Sequence, residues 1–175
     1  MTLVRSLVAF AAVVVALLLQ VTVFPRVAWD GIVPNLVLLV VVAGALTRGP
    51  QFAAVLGFLA GAALDLAPPA DHVAGRWALA LVVVGYVAGR VHQEQQLPRG
   101  RASATAVVAT VAVASFVGTS VFALTGLLLG ETAFDVTALL QVILVAVLWD
   151  VLLTPFVLPP LMTVFRRLEP ERVAV

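Results

Sequence analysis

The 175 residues contain no cysteine and no lysine, and all ten basic residues are arginine. The first absence excludes disulfides, thiolate metal sites and thiol catalysis. The second removes the lysine of a P-loop and any Schiff-base chemistry, and no Gly-rich phosphate cradle follows a strand-like run. Charged residues are scarce, at 11%, and His72 and His92 are the only histidines. The topology derived below puts these two histidines in loops on opposite sides of a membrane. A shared metal site or a serine and histidine pair is therefore not expected, nor is a cofactor or a nucleic-acid partner.

What the chain has in excess is apolar surface. Hydrophobic residues make up 63% of it and the mean hydropathy is +1.17. A soluble domain is about half apolar and about a quarter charged, so a water-soluble fold of this length could not hide so much. A helix rising about 1.5 Å per residue needs roughly 20 apolar residues to cross a hydrocarbon core of about 30 Å. Six candidate runs occur, at residues 6–23, 33–46, 52–66, 77–89, 103–129 and 137–165. None alternates polar with apolar, as barrel strands must. The predicted fold is an all-α integral membrane protein, a six-transmembrane-helix bundle.

Eight of the ten arginines lie in every second gap: Arg5, Arg48, Arg90, Arg99, Arg101, Arg166, Arg167 and Arg172, against only Arg26 and Arg76 in the others. Positive charge beside short loops is retained in the cytoplasm, so both termini are expected there. Arg5 ahead of an apolar run imitates a secretory signal, but no small-residue cleavage site lies in residues 20–26, which reads as a retained first helix. The second, third and fourth runs hold 14, 15 and 13 residues. Straight helices of that length reach only about 20 Å, so bilayer thinning, extension into the flanks or a re-entrant pair must compensate. A re-entrant pair would bury Arg48 at a cost of at least about 2.5 kcal/mol. Two short crossings joined by a turn at Thr47, Arg48, Gly49 and Pro50 are expected instead. No linker or internal repeat divides the chain, so one domain is expected over residues 1–175.

Asp65 and Asp150 are the acids with the most apolar surroundings. An aspartyl intramembrane protease would need two carboxylates about 3 Å apart, but the glycine-flanked and tyrosine-flanked signatures of such enzymes are absent. The expected roles are a helix cap for Asp65 and a hydrogen bond to a neighbouring helix for Asp150. Small residues fall into stripes: Ala112, Ser115, Thr119, Ala123 and Gly126 on the fifth run, Ala9, Ala12, Ala16 and Gln20 on the first, Gly57 and Gly61 on the third. Such faces let another backbone approach closely. Pro155, Pro159 and Pro160 are expected to break or kink the sixth run, with Arg166 and Arg167 anchoring its end at an anionic surface.

One stretch is more specific. Pro34 and Asn35 open the second run, Gly57, Gly61 and Asp65 step by four along the third, and Gly75, Arg76, Trp77, Ala78 and Leu79 open the fourth, with Tyr86 further on. Pro34 suits a first helical turn, and Asn35 can bond locally or across helices. Asp65 ends the glycine face with Arg76 as a plausible partner, a pair worth about 0 to 1 kcal/mol. This order of motifs resembles the rod shape-determining protein MreD family, over most of the chain. The resemblance implies a non-enzymatic protein of a bacterial inner membrane, acting in the cell-elongation machinery with MreC and the actin-like MreB. The glycosyltransferase RodA and a class B penicillin-binding protein lie in the same complex. It implies a scaffold that binds MreC's single span through small-residue faces and helps position lateral peptidoglycan synthesis. The alternative is a substrate-binding subunit of an energy-coupling-factor vitamin importer, whose fold is related and whose docking uses small first-helix residues such as Ala12 and Ala16. Few aromatic or hydrogen-bonding groups in the outer loops speak for it.

Overall fold

The computed structural model describes residues 2–68, 72–96, 103–130 and 135–167. They form six helices: α1 (Thr2–Thr22), α2 (Leu36–Arg48), α3 (Pro50–Asp65), α4 (Arg76–Gln96), α5 (Ala104–Leu128) and α6 (Val136–Arg167), with a 3-10 turn at Phe24–Val27. No strand occurs among the described residues beyond a single bridge between Trp29 and Ile32. The apolar stretches Ala104–Leu128 and Thr137–Arg167 are each long and apolar enough to cross a bilayer, and three shorter apolar helices accompany them.

The architecture turns on α2. Every residue from Leu36 to Leu46 is buried, and each of the other five helices packs on it. A helix that is apolar all round has no face to give to water or lipid, so α2 becomes the axis of the bundle. It holds 13 residues, about 20 Å of helix, and its first turn therefore opens inside the protein.

Sequence boundaries moved where caps decided them. Pro34 does not enter the first turn of α2: Asn35 is the N-cap and Leu36 the first helical residue. The third helix starts earlier than expected, at Pro50, because Gly49 at φ +86° turns the chain in one residue and Pro50 suits a first helical position. Of the three short runs, only the fourth is much extended, by polar residues up to Gln96, to 21 residues. The prolines of α6 do not break it. Pro155, Pro159 and Pro160 sit inside one continuous helix of 32 residues. Two threonines of this helix bond back by one turn: Thr154 Oγ1 donates to the Asp150 carbonyl at 2.7 Å and Thr163 Oγ1 to that of Pro159 at 2.8 Å.

Candidate functional site

Most of the motif residues singled out from sequence gather at two junctions, each built around a buried aspartate that meets the start of another helix. At the first, Gly57 and Gly61 of α3 lie against the backbone of α4. A Cβ at Gly57 would collide with the Leu81 carbonyl, and one at Gly61 with the Trp77 carbonyl and Ala78. The partner face on α4 is also made of glycine: Gly85 lies against the Ala53 carbonyl and Gly89 against Pro50. Steps of four on both helices thus bring two backbones into contact, the geometry that small residues permit when lipid offers no hydrophobic drive.

Asp65 closes this ladder. Its side chain is 2% exposed as a residue and accepts four hydrogen bonds: from Gly75 N at 2.8 Å, Trp77 N at 3.0 Å, Ala78 N at 3.1 Å and His72 Nε2 at 3.1 Å. The last residue of α3 therefore caps the first turn of α4, where donors without helical partners and the positive end of the dipole favour a carboxylate. Gly75 makes the approach possible with φ +104°, a conformation costly for side-chain-bearing residues. The expected pairing of Asp65 with Arg76 is not formed. Arg76 points to α5, donating to the Phe122 carbonyl from Nη2 at 2.7 Å and Nε at 3.2 Å, with its Cζ 3.8 Å from the centre of the Phe122 ring. Trp77 stacks on that ring at 4.4 Å and His72 meets it edge-on at 5.2 Å. The backbone N–H groups of α4 neutralise Asp65 without the guanidinium, and Gly126 supplies the space into which Arg76 extends.

The second junction is the start of α2. Asp150, fully buried on α6, accepts from Asn35 N at 2.7 Å and from Ser115 Oγ of α5 at 2.7 Å. Asn35 Oδ1 accepts from Leu38 N at 2.9 Å and Gln20 Oε1 of α1 from Val37 N at 3.2 Å. Three of the N–H groups at the head of α2 are thus met by side chains from α1, α2 and α6. Buried backbone donors need such partners, which explains why polar residues occupy the core of so apolar a chain. Asp65 and Asp150 serve different helix starts and share no hydrogen bond, an arrangement unlike a paired-carboxylate catalytic centre.

The model of the rod shape-determining protein MreD family matches residues 1–158. The chain belongs to that family. No curated protein and no solved structure matches it. MreD proteins are membrane proteins of rod-shape determination, and the two long apolar helices agree with that setting.

Placed in the structure, the motif residues divide. Gly57, Gly61, Asp65, Gly75, Arg76 and Ala78 meet at the α3 and α4 junction, while Pro34 and Asn35 lie buried at the other. Leu79 and Tyr86 belong to neither, being 49% and 48% exposed. On α5, Ser115, Thr119, Ala123 and Gly126 are buried and Ala112 is half-buried, so this stripe packs within the chain. The same holds for Ala9, Ala16 and Gln20 on α1. The small-residue faces expected to receive a partner are therefore already filled. Sequence reasoning missed Gly85 and Gly89, although their spacing repeats that of Gly57 and Gly61, and missed Phe122, which carries no motif.

Among the described residues no group of three or more His, Asp or Glu could hold a metal ion. A cavity of about 550 Å³ lies beside the first junction, lined by residues including Gln20, Val33, Leu64, His72, Trp77 and Phe122.

Proposed function

We propose that this chain is a non-catalytic scaffold of the rod-shape machinery, crossing the bacterial inner membrane six times with both ends in the cytoplasm. In this reading it binds the single span of MreC and through it helps position RodA, a class B penicillin-binding protein and MreB for lateral peptidoglycan synthesis. The observation that carries the reading is that both buried aspartates and all three small-residue faces are used to assemble the bundle itself. The finished bundle has helix faces left for a neighbour.

The docking face moves accordingly. Leu79 and Tyr86 are seven residues apart on α4, which puts them on one side of the helix, and both are exposed. Tyrosine is among the residue types that most often carry the binding energy of an interface, and Leu79 extends the apolar face beside it. Replacing Leu79 and Tyr86 together by Ala is expected to lower MreC copurification in mild detergent at least about tenfold, the scale of a loss of more than 1 kcal/mol, with the thermal unfolding midpoint unchanged. Undiminished copurification would remove α4 from the interface, and absence of MreC from wild-type preparations would remove the scaffold reading.

One observation favours a second reading as a vitamin-importer subunit: the cavity lined by Gln20, His72, Trp77 and Phe122, whose polar and aromatic groups come largely from helices instead of the outer loops. Tight, saturable binding of a vitamin by the purified chain, abolished by Trp77→Ala, would support that reading.

A further inference from the structure

A groove of about 410 Å³ runs between the first turn of α5 and the proline-containing half of α6, lined by Ala104 and Val108 on one side and Pro155, Pro159, Met162 and Arg166 on the other. The α6 residues recur at steps of three and four, so they form one continuous face. From Thr154, at the deep end, to Arg166, at the mouth, the groove follows 12 helical steps, about 18 Å of helix, close to half of a hydrocarbon core of about 30 Å. Its wall is apolar along this length, and it ends at a guanidinium. Arg166 is exposed and makes no hydrogen bond or ion pair among the described residues. By contrast, Arg90 of α4 is paired with Glu94 at 3.4 Å, and Arg48 at the end of α2 lies over the Phe52 ring.

We infer that the groove is a binding site for one anionic phospholipid, with an acyl chain along Pro155, Pro159 and Met162 and the headgroup phosphate on Arg166. Two observations select this occupant. The shape is a narrow slot about as deep as one leaflet, the path an acyl chain follows from the headgroup level. The charge is complementary: a guanidinium at the lipid headgroup level, with its donors uncommitted, matches a phosphate bidentately, while the two threonines of the lining, Thr154 and Thr163, already donate to the carbonyls of Asp150 and Pro159. Proline adds to the fit. Pro155 and Pro159 carry no N–H, so that side of α6 presents flat apolar rings to the chain. The site depends on the chain lying in a membrane but not on which protein it scaffolds.

The test is native mass spectrometry of the full-length protein released from nanodiscs of equal parts dioleoylphosphatidylglycerol and dioleoylphosphatidylcholine. Wild type is expected to retain phosphatidylglycerol in preference. Arg166→Gln should reduce that preference about fivefold, the contribution of one basic residue near an anionic surface, and Arg167→Gln, one position outside the lining, should reduce it less. Val108→Trp, at a 36% exposed position on the groove wall, should lower retention of both lipids by filling the slot. Equal retention of the two lipids by wild type, or equal loss in the Arg166 and Arg167 variants, overturns the proposal, the latter because it indicates general surface charge. Unchanged lipid retention in Val108→Trp with loss of a copurifying protein also overturns it, in favour of a partner helix. Should Val108→Trp not fold, the contrast between the two arginine variants decides alone.

Discussion

Asp65 and Asp150 do the same work at two helix starts, yet they reach their partners over very different stretches of chain. Asp65 bonds to groups 7 to 13 residues further on. Asp150 bonds to groups 35 and 115 residues away, on two other helices. The first junction joins neighbours: α3 and α4 are consecutive, their glycine ladders align, and the acid sits where one helix ends and the next begins. The second ties α1, α2, α5 and α6 together around the buried first turn of α2. A local cap holds two helices in register, whereas the remote one decides how the whole bundle closes. Removing the remote one should therefore have the larger consequence.

Substitutions at three positions sharpen this contrast. Asp150→Ala leaves the Asn35 N–H and the Ser115 hydroxyl without a shared acceptor in a dry interior, and the expected loss is about 3 kcal/mol or more, at about 1 to 3 kcal/mol per stranded donor. Asp150→Asn, which keeps one acceptor for Asn35 and a donor for Ser115, should recover much of that. Both are measurable as unfolding free energies in bicelles, and an alanine variant as stable as the asparagine one would mean that the α2 start is satisfied by other groups. Gly57→Ala comes next: its methyl meets the Leu81 carbonyl, so α3 and α4 must part, at about 1 to 3 kcal/mol. The unfolding free energy measures that parting, and an unchanged value would argue against backbone contact at this level. The smallest effect is expected for Asp65→Ala, about 1 to 2 kcal/mol for loss of a helix cap. Gly75 is exposed and His72 and Trp77 are only half-buried, so water can replace some of the lost bonds. Hydrogen exchange should then quicken at Gly75, Trp77 and Ala78 while the head of α2 stays protected. Exchange that quickens equally at both helix starts would show the two junctions to be one cooperative unit.

Much of the first junction was legible in the sequence because its signals are periodic and close together. Gly57, Gly61 and Asp65 fall on one face by counting, and a cap role for Asp65 follows from an acid at a helix end. Even there, the choice between Arg76 and the α4 backbone was not legible. Opposite charges near each other in sequence look like a pair, but three converging N–H groups and a histidine hold the carboxylate, and Phe122, 46 residues from Arg76, takes the guanidinium. The small-residue stripes were visible as well, though not whether another protein or the same chain fills them. Counting cannot tell these apart, since both demand the same close approach. At the second junction Asp150, Ser115 and Gln20 were individually noticeable, but no spacing linked them to Asn35.

Composition and periodicity by themselves determined a helical chain made for a membrane, its approximate helix positions and its family, because burial in lipid requires long apolar helices and the motif residues lie close together along the chain. Tertiary structure alone decided that the shortest apolar helix becomes the axis, that its buried head is satisfied by side chains of α1, α6 and its own N-cap, and that the small-residue faces are closed internally. The physical reason is that backbone donors and side-chain-free surfaces must each find a partner, and which partner they find depends on distances in space that separation along the chain does not record.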